Sequence, residues 1–176
     1  MLATMALPQF SDLPGYDKLC DEQRAFLDRL RLLLSTEKAP LVAQDKVAAS
    51  LKIEGKAKPI VEVTIPNRRD PDMSLLLTVE ERAVVVSYGW YDHIHFGYGE
   101  PDPPVEEALP FIRAMLLGNV ELEIIYGWFW TKVTTFRLDG PTGGRVRMQS
   151  GSTPAIFAGG FRWPPRLREV RRVSFT

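Results

Sequence analysis

The sequence predicts a single α+β domain, in which two or three helices pack on a mainly antiparallel sheet of about six to eight strands. Apolar residues recur at helical spacing near the start of the chain, whereas from residue 61 onward they alternate with polar residues in short segments. The connections between these segments are too short for the crossovers of about a dozen residues that parallel strands need. A length of 176 residues fits one domain, because two domains would each have a marginal core.

The first predicted element is a helix over residues 17–35, where leucines recur every three or four positions and charged residues occupy the other face. Residues 1–16 contain two prolines and a glycine and are expected to form an irregular N-terminal arm, so we place the domain at residues 17–176. The segment after the helix is open to two interpretations, a short helix over residues 41–51 or an extended chain over residues 46–53.

A series of strands follows this segment. Apolar and polar residues alternate most clearly at residues 61–65, which is typical of a strand with one buried face. A tight turn at Glu80 and Glu81 separates two further segments. The strands predicted in this part of the chain are residues 61–65, 73–79, 83–88 and 91–96.

A second helix is predicted after the turn-rich residues 97–104. Asp102 is its candidate N-cap, and Gly118 followed by Asn119 is a typical helix stop. Pro110 lies inside the apolar stripe of this helix and predicts a kink or a late start. The remaining predicted elements are strands at residues 120–126, 128–138, 145–149 and 169–175, and a candidate mobile loop at residues 151–165.

The formal net charge is zero, so the overall charge does not attract the chain to nucleic acid, an anionic membrane or an acidic substrate. The charge is nevertheless uneven, because from Arg137 onward eight arginines accompany only Asp139 and Glu169. Two interpretations are open: this basic region attracts the acidic remainder across a shared sheet, or it is a functional basic face. Nucleic-acid binding is not favoured, since few aromatic residues lie among these arginines.

Cys20 is the single cysteine, so no intramolecular disulfide is possible and a reducing compartment is expected. No histidine or basic cluster accompanies it in the sequence, which indicates an inert thiol rather than a nucleophile. The N-terminus lacks the pattern of a signal peptide, and no apolar run reaches the roughly 20 residues that span a bilayer. We therefore expect a soluble, cytoplasmic protein without a membrane partner.

The sharpest local feature is the segment of residues 91–96, which holds both histidines of the chain. Strand residues two positions apart point to the same face, so His93 and His95 form a candidate metal site. Glu100 or Asp102 would complete a set of two histidines and one carboxylate. In the alternative interpretation, the apolar residues of this strand face the core and the histidines lie on a solvated face without metal.

Aromatic residues gather in two segments with the same pattern, Tyr88-Gly89-Trp90-Tyr91 and Tyr126-Gly127-Trp128-Phe129. If these segments lie side by side, their rings gather at one end of the sheet, where exposed aromatic side chains typically anchor a partner. If the rings are buried, they belong to the core. The candidate binding residues are Trp90, Tyr91, His93, His95, Tyr98, Trp128 and Trp130.

Residues 81–120 resemble bacterial immunity proteins of polymorphic toxin systems, in which a strand ending in a His-x-His-Phe-like segment precedes a short break and a helix. The resemblance implies a small, non-enzymatic, cytoplasmic protein that binds and occludes a toxin, with aromatic ends and acidic loops as its contacts. The residues that carry the resemblance are His93, His95, Phe96, Ala108, Phe111 and Ile112.

No nucleophile, phosphate-loop or dinucleotide-binding motif is present in the sequence, so no catalytic residue and no cofactor is assigned. The favoured function is a non-enzymatic binding protein of the immunity type with a protein partner. Two alternatives stay open. One is a metal-dependent enzyme that uses His93 and His95 with Glu100 or Asp102, and the other is a small-ligand carrier whose apolar pocket is closed by residues 151–165.

Overall fold

The described parts of the chain contain two α-helices and nine strands, which are joined by turns and short 3-10 segments. Every strand pair among them is antiparallel. The predicted α+β class and antiparallel pairing are therefore confirmed. The structure is a computed structural model, and the residues that it describes are 7–36, 42, 44–53, 58–89, 92–99, 104–118, 120–126, 132–139, 145–151 and 167–172.

The first sheet contains five strands in sequence order, so each strand pairs with its neighbour along the chain. These strands are β1 (Ala48–Lys52), β2 (Ile60–Ile65), β3 (Leu75–Val79), β4 (Val84–Tyr88) and β5 (Asp92–Phe96). Buried and half-buried residues alternate strictly along β2 and β4. One face of the sheet therefore belongs to the core, and we call the other face the outer face.

The second sheet contains four strands. They are β6 (Val120–Tyr126), β7 (Lys132–Asp139), β8 (Arg145–Gly151) and β9 (Leu167–Arg172). Their order is β8-β7-β6-β9, and β8 lies beside β5, with Cα atoms within 8 Å. Each sheet thus has fewer strands than the single sheet of about six to eight that the sequence predicted, because alternation marks a strand and its buried face but not the neighbour with which it pairs.

The register of β6 brings acidic and basic parts of the sequence together. Glu121 is opposite Arg137 of β7 on one side and Arg172 of β9 on the other. The register therefore places the basic strands β8 and β9 in one sheet with β6, which carries Glu121 and Glu123.

Both predicted helices are present, and both begin later than predicted. Helix α1 (Asp21–Thr36) follows a separate 3-10 turn at Tyr16–Lys18. Helix α2 (Ala108–Leu116) also follows a 3-10 turn, so Pro110 lies in its first turn, where a missing N–H leaves no intrahelical bond unmade. Gly118 has a φ of +72° and its N–H donates to the carbonyl of Met115, which is the predicted glycine stop.

The segment after α1 is extended rather than helical. A 3-10 turn at Gln44–Lys46 leads directly into β1, so the extended alternative is the right one. The described part of the predicted N-terminal arm contains a 3-10 turn at Phe10–Asp12, and Phe10 is buried in the core. Most of the predicted loop at residues 151–165 lies outside the described residues.

The core fills the space between the two helices and the inner face of the first sheet. Leu27 and Leu30 of α1 and Phe111 and Ile112 of α2 are almost completely buried there. Each such side chain contributes about 1.5–3 kcal/mol through its removal from water, so packing holds the helices on the sheet. In the described ranges, no helix combines the length and the apolar character that crossing a membrane requires.

Gln23 links the start of α1 to the first sheet through side-chain hydrogen bonds. Its side-chain Nε2 donates to the carbonyls of Pro59, at 2.9 Å, and Val79, at 3.2 Å. Its Oε1 accepts a hydrogen bond of 3.2 Å from the backbone N–H of Cys20, the contact that the N3 residue of a capping box makes with the N-cap residue. This side chain, 2% exposed, thus satisfies buried groups on both elements and holds α1 against the turn between β3 and β4.

Candidate functional site

Strand β5 places both histidines on the outer face of the first sheet. Ile94 and Phe96 of this strand are 4% and 0% exposed and belong to the core. Because side chains alternate along a strand, His93 and His95 lie on the opposite face, where His93 is exposed and His95 is half-buried. The structure thus agrees with the expectation, made in the alternative interpretation of this strand, that Ile94 and Phe96 face the core and the histidines lie on the more solvated face.

His93, His95 and Tyr98 form a continuous set of rings at the surface, which we call the ring row. The ring centroids of the two histidines are 4.8 Å apart, and those of His95 and Tyr98 are 5.0 Å apart. Both separations fall in the range of about 4.5–7 Å at which aromatic rings contact each other. Tyr98 is 47% exposed, so the row ends on a ring that solvent reaches.

The outer face continues from the ring row onto β4 and β3. Val85 is opposite His95, Ser87 is opposite His93, and Leu76 of β3 is opposite Ser87. Directly opposite residues share a face of the sheet, so Val85 lies beside the ring of His95, and Leu76, which is 39% exposed, lies one strand further away beside Ser87. Of the side chains in and beside the ring row, tyrosine is the type that is enriched in the core of protein interfaces.

The histidine pair also has a spacing that suits a shared metal ion. Two imidazoles with centroids 4.8 Å apart can both reach one ion at nitrogen–metal distances of about 2.0–2.1 Å. Among the residues that the structure describes, however, no group of three or more His, Cys, Asp or Glu side chains is arranged to hold a metal. The predicted carboxylate ligands Glu100 and Asp102 lie outside the described residues.

The two Tyr-Gly-Trp segments begin at strand ends. Tyr88 closes β4 and Tyr126 closes β6. Gly89 has a φ of +55°, and a Cβ at this position would lie 2.7 Å from the carbonyl oxygen of Asp72, so the turn after Tyr88 requires glycine. The remaining predicted binding residues, Trp90, Tyr91, Trp128 and Trp130, lie outside the described residues.

A groove of about 520 Å³ lies on the helix side of the first sheet, and no pattern in the sequence indicates it. Its walls are α1, the turn between β3 and β4, and the 3-10 turn with the start of α2. Because these segments are far apart in the sequence, no local pattern connects them. The apolar residues of this helix-side groove include Phe26, Val79, Val84, Val105 and Leu109.

Charged residues surround the apolar part of the helix-side groove. The pKa of Glu22 is lowered by a backbone hydrogen bond, by the Cys20 thiol and by the charge of Arg82, so this carboxylate is ionised at neutral pH. Glu81 forms an ion pair with Lys58. The charged residues that line the groove are Glu22, Glu80, Glu81, Glu106, Arg29 and Arg82.

Comparison of the chain with protein-family models, with curated proteins and with solved structures finds no match. The features of the molecule that bear on its function are therefore the ring row, the outer face and the helix-side groove.

Proposed function

We propose that this protein is a non-enzymatic binding protein and that a partner protein docks on the outer face of the first sheet. The observation that carries the proposal is the ring row, in which His93, His95 and Tyr98 contact one another at the surface. Rings that are grouped at the surface expose apolar area to water, and such groups mark interaction sites.

The surroundings of the ring row favour a protein as the partner. Leu76 and Val85 extend the apolar area across two further strands, so that it spans β3, β4 and β5. Small molecules bind mostly in clefts, whereas protein partners bind broad surfaces with a few aromatic anchors. Tyr98 is the best candidate anchor because it combines a large ring with a hydroxyl group.

An immunity-type role, in which the partner is a toxin, is our more specific proposal. Of the residues that carry the resemblance to immunity proteins, His93 and His95 lie on the outer face and would contact the toxin. The other four are buried and would act as the scaffold of this surface: Phe96, Ala108, Phe111 and Ile112.

The proposal is tested by affinity capture with matched variants. The purified chain is immobilised, exposed to a lysate of its source organism, and compared with His95→Ala/Tyr98→Ala and with Asp28→Ala, an exposed change on α1. We expect one protein that the wild type and the Asp28 variant retain and that the double variant loses. Retention by all three proteins, or no specific retention by any, would contradict the proposal.

A metal-dependent enzyme is the second candidate function, and the 4.8 Å separation of the histidine rings favours it. It is tested by elemental analysis of untagged protein beside thermal shifts with zinc, manganese, nickel and a chelator. Near-stoichiometric metal that is lost in His93→Ala/His95→Ala would support this function. Absence of both metal and ion-dependent shifts would leave the binding proposal alone.

A further inference from the structure

We infer that the helix-side groove is a second interaction surface and that its occupant is a basic, amphipathic helical segment of a partner protein. The groove lies among the helices on the inner side of the first sheet, whereas the ring row lies on the outer face. The inference therefore does not depend on the proposed function.

The side of α1 that lines the groove extends beyond it. Ala25 and Arg29 line the groove, and the apolar residue Leu32 follows them at helical spacing on the same side of α1. Leu32 is 62% exposed, the highest value among the exposed large apolar side chains in the described ranges. From Glu22 to Leu32 the surface extends about 15 Å along the helix axis, which corresponds to about three helical turns.

A helical occupant fits the walls of the groove. Two of these walls are helical, since α1 lies beside the 3-10 turn Val105–Glu107 and α2. Ridges of side chains on one helix pack into grooves between the side chains of another, and amphipathic helices bind such sites through apolar residues at three- and four-residue spacing. Phe26 and Leu109 then lie beneath the apolar face of the occupant.

The carboxylates that line the groove favour a basic occupant. Arg82 lies near enough to Glu22 to help lower the pKa of this carboxyl, and Glu81 pairs with Lys58, so each of these two carboxylates has an opposite charge nearby. Glu80 and Glu106 take part in none of the ion pairs of the described residues. Lysine or arginine residues beside the apolar face of the occupant would compensate the charges of Glu80 and Glu106. Arg29, the remaining cation of the lining, could pair with a single acidic residue of the occupant.

The experiment uses two labelled peptides of about 18 residues, roughly five helical turns, with leucines at helical spacing. In one peptide all other positions of the polar face are lysine, and in its counterpart they are glutamate. Binding to the full chain is measured by fluorescence anisotropy. Glu106→Lys tests the charge of the groove, and Glu107→Lys is the matched control, because Glu107 is an exposed neighbour in the same turn that does not line the groove.

We expect the lysine peptide to bind at least about tenfold more tightly than the glutamate peptide, and Glu106→Lys to weaken it several-fold, because like charges then oppose each other. Leu32→Ser weakens it as well, whereas Glu107→Lys and His95→Ala leave it unchanged. The inference is overturned if the lysine peptide does not bind, if both peptides bind equally, or if Glu107→Lys weakens binding as much as Glu106→Lys. Loss of binding in His95→Ala would also overturn it, because the peptide would then occupy the ring row.

Discussion

Replacement of Gln23 with glutamate keeps the shape of the side chain but replaces the hydrogen-bond donor at its buried end, Nε2, with an oxygen that only accepts hydrogen bonds when it is ionised. In the native protein, Nε2 donates to the carbonyls of Pro59 and Val79, and the side chain is 2% exposed. In Gln23→Glu, a carboxylate oxygen faces both carbonyl oxygens. Two hydrogen bonds worth about 1 kcal/mol each are lost, and the buried unpaired groups add about 1–3 kcal/mol, so we expect a loss of about 3–5 kcal/mol at neutral pH.

The loss in this variant depends on pH, and the sign follows from linkage. Burial and the two carbonyls favour the protonated form of the introduced carboxyl, so its pKa in the folded variant lies above the unfolded value of about 4.3. A protonated carboxyl can donate to one carbonyl, which restores one of the two lost bonds. The variant is therefore closest to wild type below the unfolded pKa, and its deficit grows as the pH rises toward the folded pKa.

The assay is urea unfolding of wild type and variant at a series of pH values. Gln44→Glu is the matched control, because the Nε2 of Gln44 donates one bond of 2.8 Å to the carbonyl of Leu34 in a half-buried site. We expect the control to lose about 1 kcal/mol, with a smaller pH dependence than Gln23→Glu, because it faces one carbonyl instead of two and water reaches the half-buried carboxylate. A deficit in Gln23→Glu that is below about 1 kcal/mol, or that does not shrink in acid, would show that water reaches this side chain.

Gly97→Ala is expected to destabilise the fold by at least about 2 kcal/mol, since Gly97 has a φ of +85° and the new Cβ would collide with the backbone carbonyl oxygen of Arg82. At Gly99, φ is +100° and no atom of the described residues lies within 4 Å of a new Cβ, so Gly99→Ala measures backbone strain without this collision. Equal urea midpoints for the two variants would refute the close contact at Gly97. Phe96→Ala removes a ring that is 0% exposed and is expected to cost about 3–5 kcal/mol, and a calorimetric loss below about 1 kcal/mol would contradict its place in the core. Glu22→Gln is expected to lower the thermal midpoint slightly at neutral pH but not in acid. The pKa of Glu22 is lowered in the folded protein, so the stabilisation by its carboxylate is lost as the pH falls through that pKa. A difference in thermal midpoint that persists in acid would contradict this expectation.

Alternation predicted strands β2 to β5 to within about two residues at their ends, because each of these strands buries one face and its apolar residues therefore recur at every second position. The start of α1 was not predictable in the same way. Leu19 fits the helical spacing of the residues that follow it, yet α1 begins at Asp21, where the Gln23 side chain satisfies the N–H of Cys20. That start depends on contacts with Pro59 and other distant residues, which no local pattern contains.

The same distinction applies to the candidate site: a feature of one strand was predictable from the sequence, whereas features that join several segments were not. The side of β5 on which His93 and His95 lie follows from the alternation of a single strand, and the sequence predicts it. The contact between His95 and Tyr98 depends on how the chain turns after Phe96, and the helix-side groove depends on three segments that meet only in the folded protein. Residue patterns describe one segment at a time, so these features appear only in the structure.

The buried half of β5 has a consequence for any partner of the ring row. Since Ile94 and Phe96 are held in the core, the backbone beneath His93 and His95 is already ordered before association. A flexible loop would lose entropy on binding, whereas here the remaining cost is that of the side chains, about 0.5–1.5 kcal/mol for each one that becomes immobile. A preorganised strand also lets its two faces change independently. If a partner binds the ring row as proposed, substitutions at positions 93 and 95 would change the affinity mainly through the rate of dissociation, and the core positions 94 and 96 would keep the backbone of this surface in place.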